Sequence, residues 1–382
     1  MKRNATLGSL FLALVALAAS ACGGSPAAEP AAPEPPVAPE APVVSAVPPP
    51  PAPEPTEEEK KKAEQQRKLQ EDRAKLEADH KAEVARWTPE LRAEAKALAD
   101  KTFPTGKAAI SAAVASKVRQ PGNADRDKYR HPIDTLEFFG FKPTMTVIEF
   151  SPGGGYYTEL LAPALAKRGK LIVTNTDPNG PADQRSSYYG QRVKFLLDRS
   201  PELFGKVQTV LVDSKVPSLG IENKADLIVV MRELHGMQNS GTLDAWLAEF
   251  NKALKPGGVL GIEEHRANRD ADPVDTAKRG YMPETYVIEK AEAAGFKLAG
   301  RSEINANAKD TKDHPAGVWT LPPSFALKDK DRDKYASIGE SDRMTLKFVK
   351  EKKVDLKPGE AKGAPKPAGK TTDATKPTKQ AR

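Results

Sequence analysis

From Thr146 to Glu159 the chain reads TVIEFSPGGGYYTE, a short apolar run that contains Glu149 and passes without a spacer into Gly153, Gly154 and Gly155. Leu160, Leu161 and Leu165 follow at helical spacing. A strand that enters a glycine turn and then a helix presents bare backbone N–H groups at the helix N-terminus, where a nucleotide-like ligand approaches closely. A tight strand–helix turn with no ligand would use the same glycines. The motif therefore narrows the fold before it narrows the function.

Downstream, apolar runs and amphipathic stretches alternate. Helical spacing over 129–139, with Leu136, Phe138 and Phe139 as core candidates, is broken by Lys142-Pro143. Strands are predicted at 145–150, 170–174, 207–212, 225–231 and 259–263, with further candidates at 296–301 and 344–349. Helices are predicted at 158–167, 243–254 and 284–294. The run 225–231 is nearly all apolar, as in a strand buried on both faces. Such alternation predicts an α/β, Rossmann-like, mostly parallel seven-stranded sheet with helices on both faces and ligands at the strands' carboxyl ends. Residues 125–350 suffice for one such domain with a good-sized core.

The two ends of the chain have other compositions. Lys2 and Arg3 precede an apolar run from Leu7 to Ala19, too short to span a membrane as a helix but laid out as an export signal over residues 1–21. Cys22 is the only cysteine, so no internal disulfide can form. Its place after the apolar run resembles the bacterial lipoprotein acceptor site; an ordinary cleaved signal with an incidental cysteine is the alternative. The resemblance implies lipidation at Cys22, a membrane anchor, and export to the cell envelope. Gly23 is not the acidic retention signal, which points to the periplasmic face of the outer membrane. Residues 22–55 are mostly Ala, Pro, Glu and Val, an extended disordered tether on the order of 90 Å long.

A capping box at Thr56–Glu59 opens a strongly charged helical region, 56–124, whose first helix runs to about Arg86. Its apolar positions Leu69, Leu76 and Val84 are too sparse for a core face, so a solvated single helix or a weak coiled coil is expected. Thr88-Pro89-Glu90 restarts a helix. The tail, 351–382, has nine Lys/Arg against four Asp/Glu and no aromatic residue, as expected of a disordered basic segment. It supplies five units of the overall charge of +7. With no basic stripe interleaved with aromatics in the core, a nucleic-acid partner is not expected.

From about Arg130 to Lys350 the chain resembles the class I S-adenosylmethionine-dependent methyltransferases. Glu149-x-Ser151-x-Gly153-x-Gly155 resembles that family's acid-and-glycine motif. Asn175 and Asp177 stand where the family keeps an acid after the second strand. Asp213 resembles the third-strand acid. Leu254-Lys255-Pro256-Gly257-Gly258 resembles the turn before the fifth strand, and AEAAGFKL with MTLKFVK the final helix and antiparallel strand pair. More narrowly, YRHP, SPGGGYYTELLAP, SEINANAKDTKDHPAGVWTLPP and GESDRMTLKF together resemble a group of predicted exported bacterial methyltransferases.

The resemblance implies S-adenosylmethionine as cofactor and methyl transfer to an unidentified acceptor. The backbone of Gly153, Gly154 and Gly155, with Ser151 in a glycine's place, would admit the methionine and ribose parts, and Glu149 would orient the amino group. Asn175 departs from the family's acid, leaving Asp177 to reach the ribose hydroxyls or ribose binding weakened; Asp213 would take the adenine amino group. Turn capping is the alternative for both aspartates. Catalytic candidates lie past the fourth and fifth strands: Glu233 with His235, and Glu264 with His265, beside Glu263. Each histidine beside a carboxylate suits a general base; a metal pair or simple loop hydrogen bonding are the other readings, and no metal site is assigned. His131 stands before the first strand, as a cover for the cofactor or as helix-entry packing. His314 and Trp319 fall in the long polar segment 303–343, a candidate acceptor-site lid.

A non-catalytic binding or sensor module on the same scaffold is the alternative, because an exported protein works where S-adenosylmethionine is not made. A short-chain dehydrogenase is disfavoured, since the Lys-Pro-Gly-Gly turn at 255–258 belongs elsewhere.

Overall fold

A computed structural model of the chain describes residues 55–351, Ser214 excepted. The expected signal, Cys22, the tether up to residue 54 and the basic tail beyond 351 lie outside the described residues.

Seven strands form one sheet: β1 (Thr146–Phe150), β2 (Lys170–Asn175), β3 (Gln208–Leu211), β4 (Ala225–Met231), β5 (Leu254–His265), β6 (Phe296–Ser302) and β7 (Arg343–Lys350). Their order is β3-β2-β1-β4-β5-β7-β6, parallel from β3 to β5, with β7 antiparallel to both neighbours. The chain winds outward from β1 to β3, then returns to β4 on β1's other side. This reversal opens a crevice between the carboxyl ends of β1 and β4, where sheets of this kind take ligands.

Among the described residues thirteen α-helices accompany the sheet: α1 (Glu57–Arg86), α2 (Pro89–Asp100), α3 (Gly106–Val114), α4 (Asp127–Arg130), α5 (Pro132–Phe139), α6 (Thr158–Leu165), α7 (Arg185–Asp198), α8 (Pro201–Phe204), α9 (Leu234–Asn239), α10 (Leu243–Ala253), α11 (Pro273–Lys278), α12 (Glu284–Ala293) and α13 (Arg332–Ile338). Strand alternation divides the core between two faces. Val147, Leu227 and Val229 meet Leu136, Phe139, Leu160 and Leu161 on one face. Ile148, Phe150, Ile228 and Val230 meet Trp246, Leu247, Phe250 and Val287 on the other. Both faces of β4 are therefore covered, as its apolar run predicts.

Several expectations are corrected. The core begins well before residue 125: Trp87, Ala95, Ala109, Ile110 and Ala113 join the first cluster, so α2 and α3 belong to the domain. The charged helix is neither solvated alone nor a coiled coil. It keeps its capping box, but Leu69 is buried, His80 stacks on Phe195 of α7 at 4.0 Å, and Arg73 bonds Gln191 at 2.6 Å. One hydrophobic contact and a few polar ones suffice to dock it, which a search for an apolar stripe misses. The helix expected over 129–139 breaks at His131, whose φ of 37° places it in the left-handed region before Pro132. β5 starts at Leu254 and carries the Pro-Gly-Gly turn as an irregularity within the strand.

Candidate active site

The glycine turn closes the carboxyl end of β1. Ser151, Gly153 and Gly155 all take positive φ, 52°, 58° and 80°, so alternate peptides swing to one side. Gly155 is required sterically, because a Cβ there would lie 2.3 Å from the Leu196 side chain of α7. Gly153 and Gly154 are exposed, and their N–H groups have no partner among the described residues.

Glu149 sits beneath this turn and is buried. Its carboxylate accepts the Thr158 hydroxyl at 2.8 Å and the Thr158 N–H at the start of α6. Burial pushes its pKa up to about 7 against the pull of those bonds. Glu149 thus braces the turn from below.

Asp177 and Asp213 follow the adjacent strands β2 and β3, in line with the glycine turn along the carboxyl edge. Both are exposed, and each accepts an N–H of its own loop through Oδ1, from Asn179 at 2.9 Å and Lys215 at 2.8 Å. Asn175 is buried and donates its amide to the Gly190 carbonyl of α7 at 3.1 Å. Its side chain anchors α7, and Asp177 is the carboxylate that reaches the surface.

Past β4 and β5 the four catalytic candidates come together. Glu264 is buried; one oxygen accepts the Leu234 N–H at 2.6 Å and the other the His265 N–H at 2.8 Å. With its oxygens already accepting, its contact of 3.0 Å with His235 Nδ1 requires the proton on Nδ1. Nε2 then carries the free lone pair. Burial opposes charge on His235, but Glu264 outweighs it and the pKa is raised. His265, 5.7 Å away between ring centroids, has the opposite fate. Burial, then the charges of His235 and Arg232, hold its pKa well below the usual range, and its Nδ1 meets Ser341 Oγ at 2.5 Å. Glu233 is half-buried, its pKa pushed up to about 7 by burial against the pull of His235 and a bond from the Ser151 side chain. Two histidines equivalent in sequence are thus inequivalent in chemistry. Among the described residues no three His, Cys, Asp or Glu side chains converge as a metal-binding set.

Beneath them lies an ion network invisible to motif reasoning. Glu263 accepts Arg232 Nη1 at 2.8 Å and Tyr157 Oη at 2.9 Å, with Arg343 Nε 3.2 Å away. Glu340 collects Arg126, Arg130 and Arg343. These partners lie up to some two hundred residues apart in the chain, so no local signal could have found them.

The segment 303–343, expected as a candidate lid, is anchored by buried polar contacts. Buried Asp310 accepts Tyr281 Oη, the Lys312 N–H and His314 Nε2 on one oxygen, and the Asp342 N–H on the other. Asp342 in turn holds Arg266 and Lys312. His314 is therefore an anchor, whereas Trp319 stands exposed at the rim, 5.9 Å from the His235 ring. His131 binds this segment through Asn305 Oδ1 at 3.3 Å. Among the described residues no helix is long and apolar enough to cross a membrane.

Residues 124–298 match the family model described as a methyltransferase domain. No curated protein sequence matches the chain. Among solved structures it is similar to an S-adenosylmethionine-dependent methyltransferase from Aquifex aeolicus, at 18% identity and a TM-score of 0.39, over 65% of this chain and 100% of that one. It is also similar to the N-methyltransferase NodS from Bradyrhizobium japonicum, at 15% identity and a TM-score of 0.38, over 61% and 99%. A third is the [4+2]-cyclase SpnF, at 18% identity and a TM-score of 0.38, over 58% and 80%. Over residues 124–298, then, the chain is similar to a methyltransferase domain.

Proposed function

We propose that the protein transfers a methyl group from S-adenosylmethionine to an acceptor deprotonated by His235, in a domain held at the cell envelope through Cys22. The observation that carries this reading is the His235–Glu264 pair, which follows β4, the strand paired with β1 whose carboxyl end leads into the glycine turn.

The residues fit the cofactor. The unpartnered N–H groups of Gly153 and Gly154, on a turn without side chains, suit close approach of its methionine and ribose parts. Asp177 would take the ribose hydroxyls and Asp213 the adenine amino group, each through the carboxylate oxygen its own turn does not use. Glu149 acts through the turn it braces, and Glu233 with Ser151 closes the β4 side. When bound, the cofactor supplies an electrophilic methyl on sulfur, and displacement there demands alignment more than covalent help from the protein. Glu264 fixes the tautomer and orientation of His235; Nε2 takes the acceptor's proton. His265, kept neutral, adds no competing positive charge. The envelope address rests on the export signal, Cys22 and the tether alone.

A second reading, a binding module on this scaffold, draws support from Ser151 in a left-handed conformation that suits glycine and from Asn175 turned into α7. Calorimetry of S-adenosylmethionine with the full-length chain separates the two. Binding at roughly micromolar Kd, lost in Gly153→Arg and Asp213→Ala, supports the enzyme. No binding at millimolar cofactor leaves only the module.

A further inference from the structure

Trp319 is an exposed ring close to the candidate base His235. It is 40% exposed, whereas Tyr281 and Tyr335, in or beside the segment 303–343, are buried. An exposed ring beside a candidate base offers a flat ligand a face to pack against.

Its setting is rigid. The short turn Gly317–Thr320 is pinned to the end of α11 by Val318 N–H on the Arg279 carbonyl at 2.9 Å. A Cβ on Gly317 would lie 2.3 Å from that same carbonyl, so only glycine admits this packing. The Trp319 carbonyl accepts Ala326 N–H at 2.8 Å, and Thr320 Oγ1 accepts Ala316 N–H at 2.9 Å. Behind the turn stand the Asp310 and Asp342 anchors. The backbone that carries the indole is thus held in place before anything binds, which lowers the ordering cost for a flat ligand.

Two rings neighbour His235 here: Trp319, edge-on to it at 70°, and His265, 5.7 Å away between ring centroids. We propose that the methyl acceptor is a phenol, its ring packed against Trp319 and its hydroxyl directed at His235 Nε2. This deepens the methyltransferase reading and rests on it. The ring follows from Trp319 and the hydroxyl from the base. A phenolic proton, with a pKa of about 10 as in tyrosine, lies within reach of an imidazole, whereas a water-like hydroxyl near 15.7 does not. In the transfer the O–H proton passes to Nε2 and the oxygen lone pair forms the new bond to the methyl carbon. The carbon–sulfur bond breaks with its electron pair kept on sulfur. The products are an aryl methyl ether, S-adenosylhomocysteine and a protonated His235, which returns its proton to water.

The test uses the full-length chain and three matched probes: 4-ethylphenol, 4-ethylaniline and 2-phenylethanol. Binding is read by quenching of tryptophan fluorescence, Trp87 and Trp246 being buried, and transfer by the S-adenosylhomocysteine and methylated product formed. The phenol should bind saturably and be methylated at least tenfold faster than the other two. Trp319→Ala should weaken its binding tenfold or more and Trp319→Phe less than threefold. His235→Gln should keep binding and slow transfer at least a hundredfold. Preference for the aniline or the alcohol, or equal phenol binding by Trp319→Ala, overturns the proposal. If S-adenosylmethionine binds by calorimetry but no phenol quenches or reacts, this inference alone falls. If the cofactor does not bind, the methyltransferase reading falls and takes this one with it.

Discussion

At the scale of single residues, two carboxyls held near pH 7 and one raised histidine make the site sensitive to pH. The Glu149 pKa of about 7 stands above its unfolded value. Its favourable share of stability is therefore full below about pH 4.5 and disappears as pH rises through 7, worth up to about 3 kcal/mol. Glu149→Gln should flatten the fall in thermal stability between pH 5 and 8, measured by calorimetric scans. An unchanged slope would assign the dependence to other groups. His235 must be unprotonated to act, so kcat should fall as pH drops through its raised pKa. Glu264→Gln removes the main partner that raises it and should move this acid limb to lower pH, with kcat reduced more than KM is changed. A limb that stays in place would remove Glu264 from the positioning role.

At the scale of elements, the glycine turn is coupled to α7 by contact. Leu196 fills the space where Gly155 has no side chain, while Asn175 and Gly190 tie the same helix to the end of β2. Gly155→Ala meets both a clash and a φ of 80°, and should cost about 1–3 kcal/mol. Because the clash displaces either the turn or α7, cofactor affinity should fall at least tenfold, read by calorimetry beside a denaturant titration. Affinity retained at wild-type level in a destabilised variant would separate α7 from the site. Among the described residues no helix lies between β3 and β4.

At the scale of the whole molecule, α1 makes the domain larger than its methyltransferase-like part. It leans on α7 through buried Leu69, the His80–Phe195 stack and the Arg185–Asp72 ion pair. Since α7 backs the glycine turn, α1 supports the site from two layers away. Leu69→Ala should destabilise the chain by about 2–3 kcal/mol and raise amide exchange across 185–198 more than across β4. Faster exchange confined to 57–86 would show α1 to be an appendage with no hold on α7.

The sequence by itself determined the strands, the glycine turn, the acids at the ends of β1 and β3, and the placing of His235 and His265 beside carboxylates. Those signals are local: a period of two or 3.6, a glycine where φ must turn positive, a proline that halts a helix. It missed α7, whose buried face mixes Ser187 and Gly190 with Val193 and Leu196, and the docking of α1, which uses a stack and single polar contacts. Only the tertiary structure decided that Glu264 pairs with His235, 29 residues away, while His265 turns to Ser341, 76 residues away. It likewise made Asn175 a prop for α7, His314 an anchor and Trp319 an exposed ring. Such roles depend on which strand ends are neighbours and on what is buried between them. Spacing along a chain cannot carry either, because ionisation and hydrogen bonding respond to distance in space.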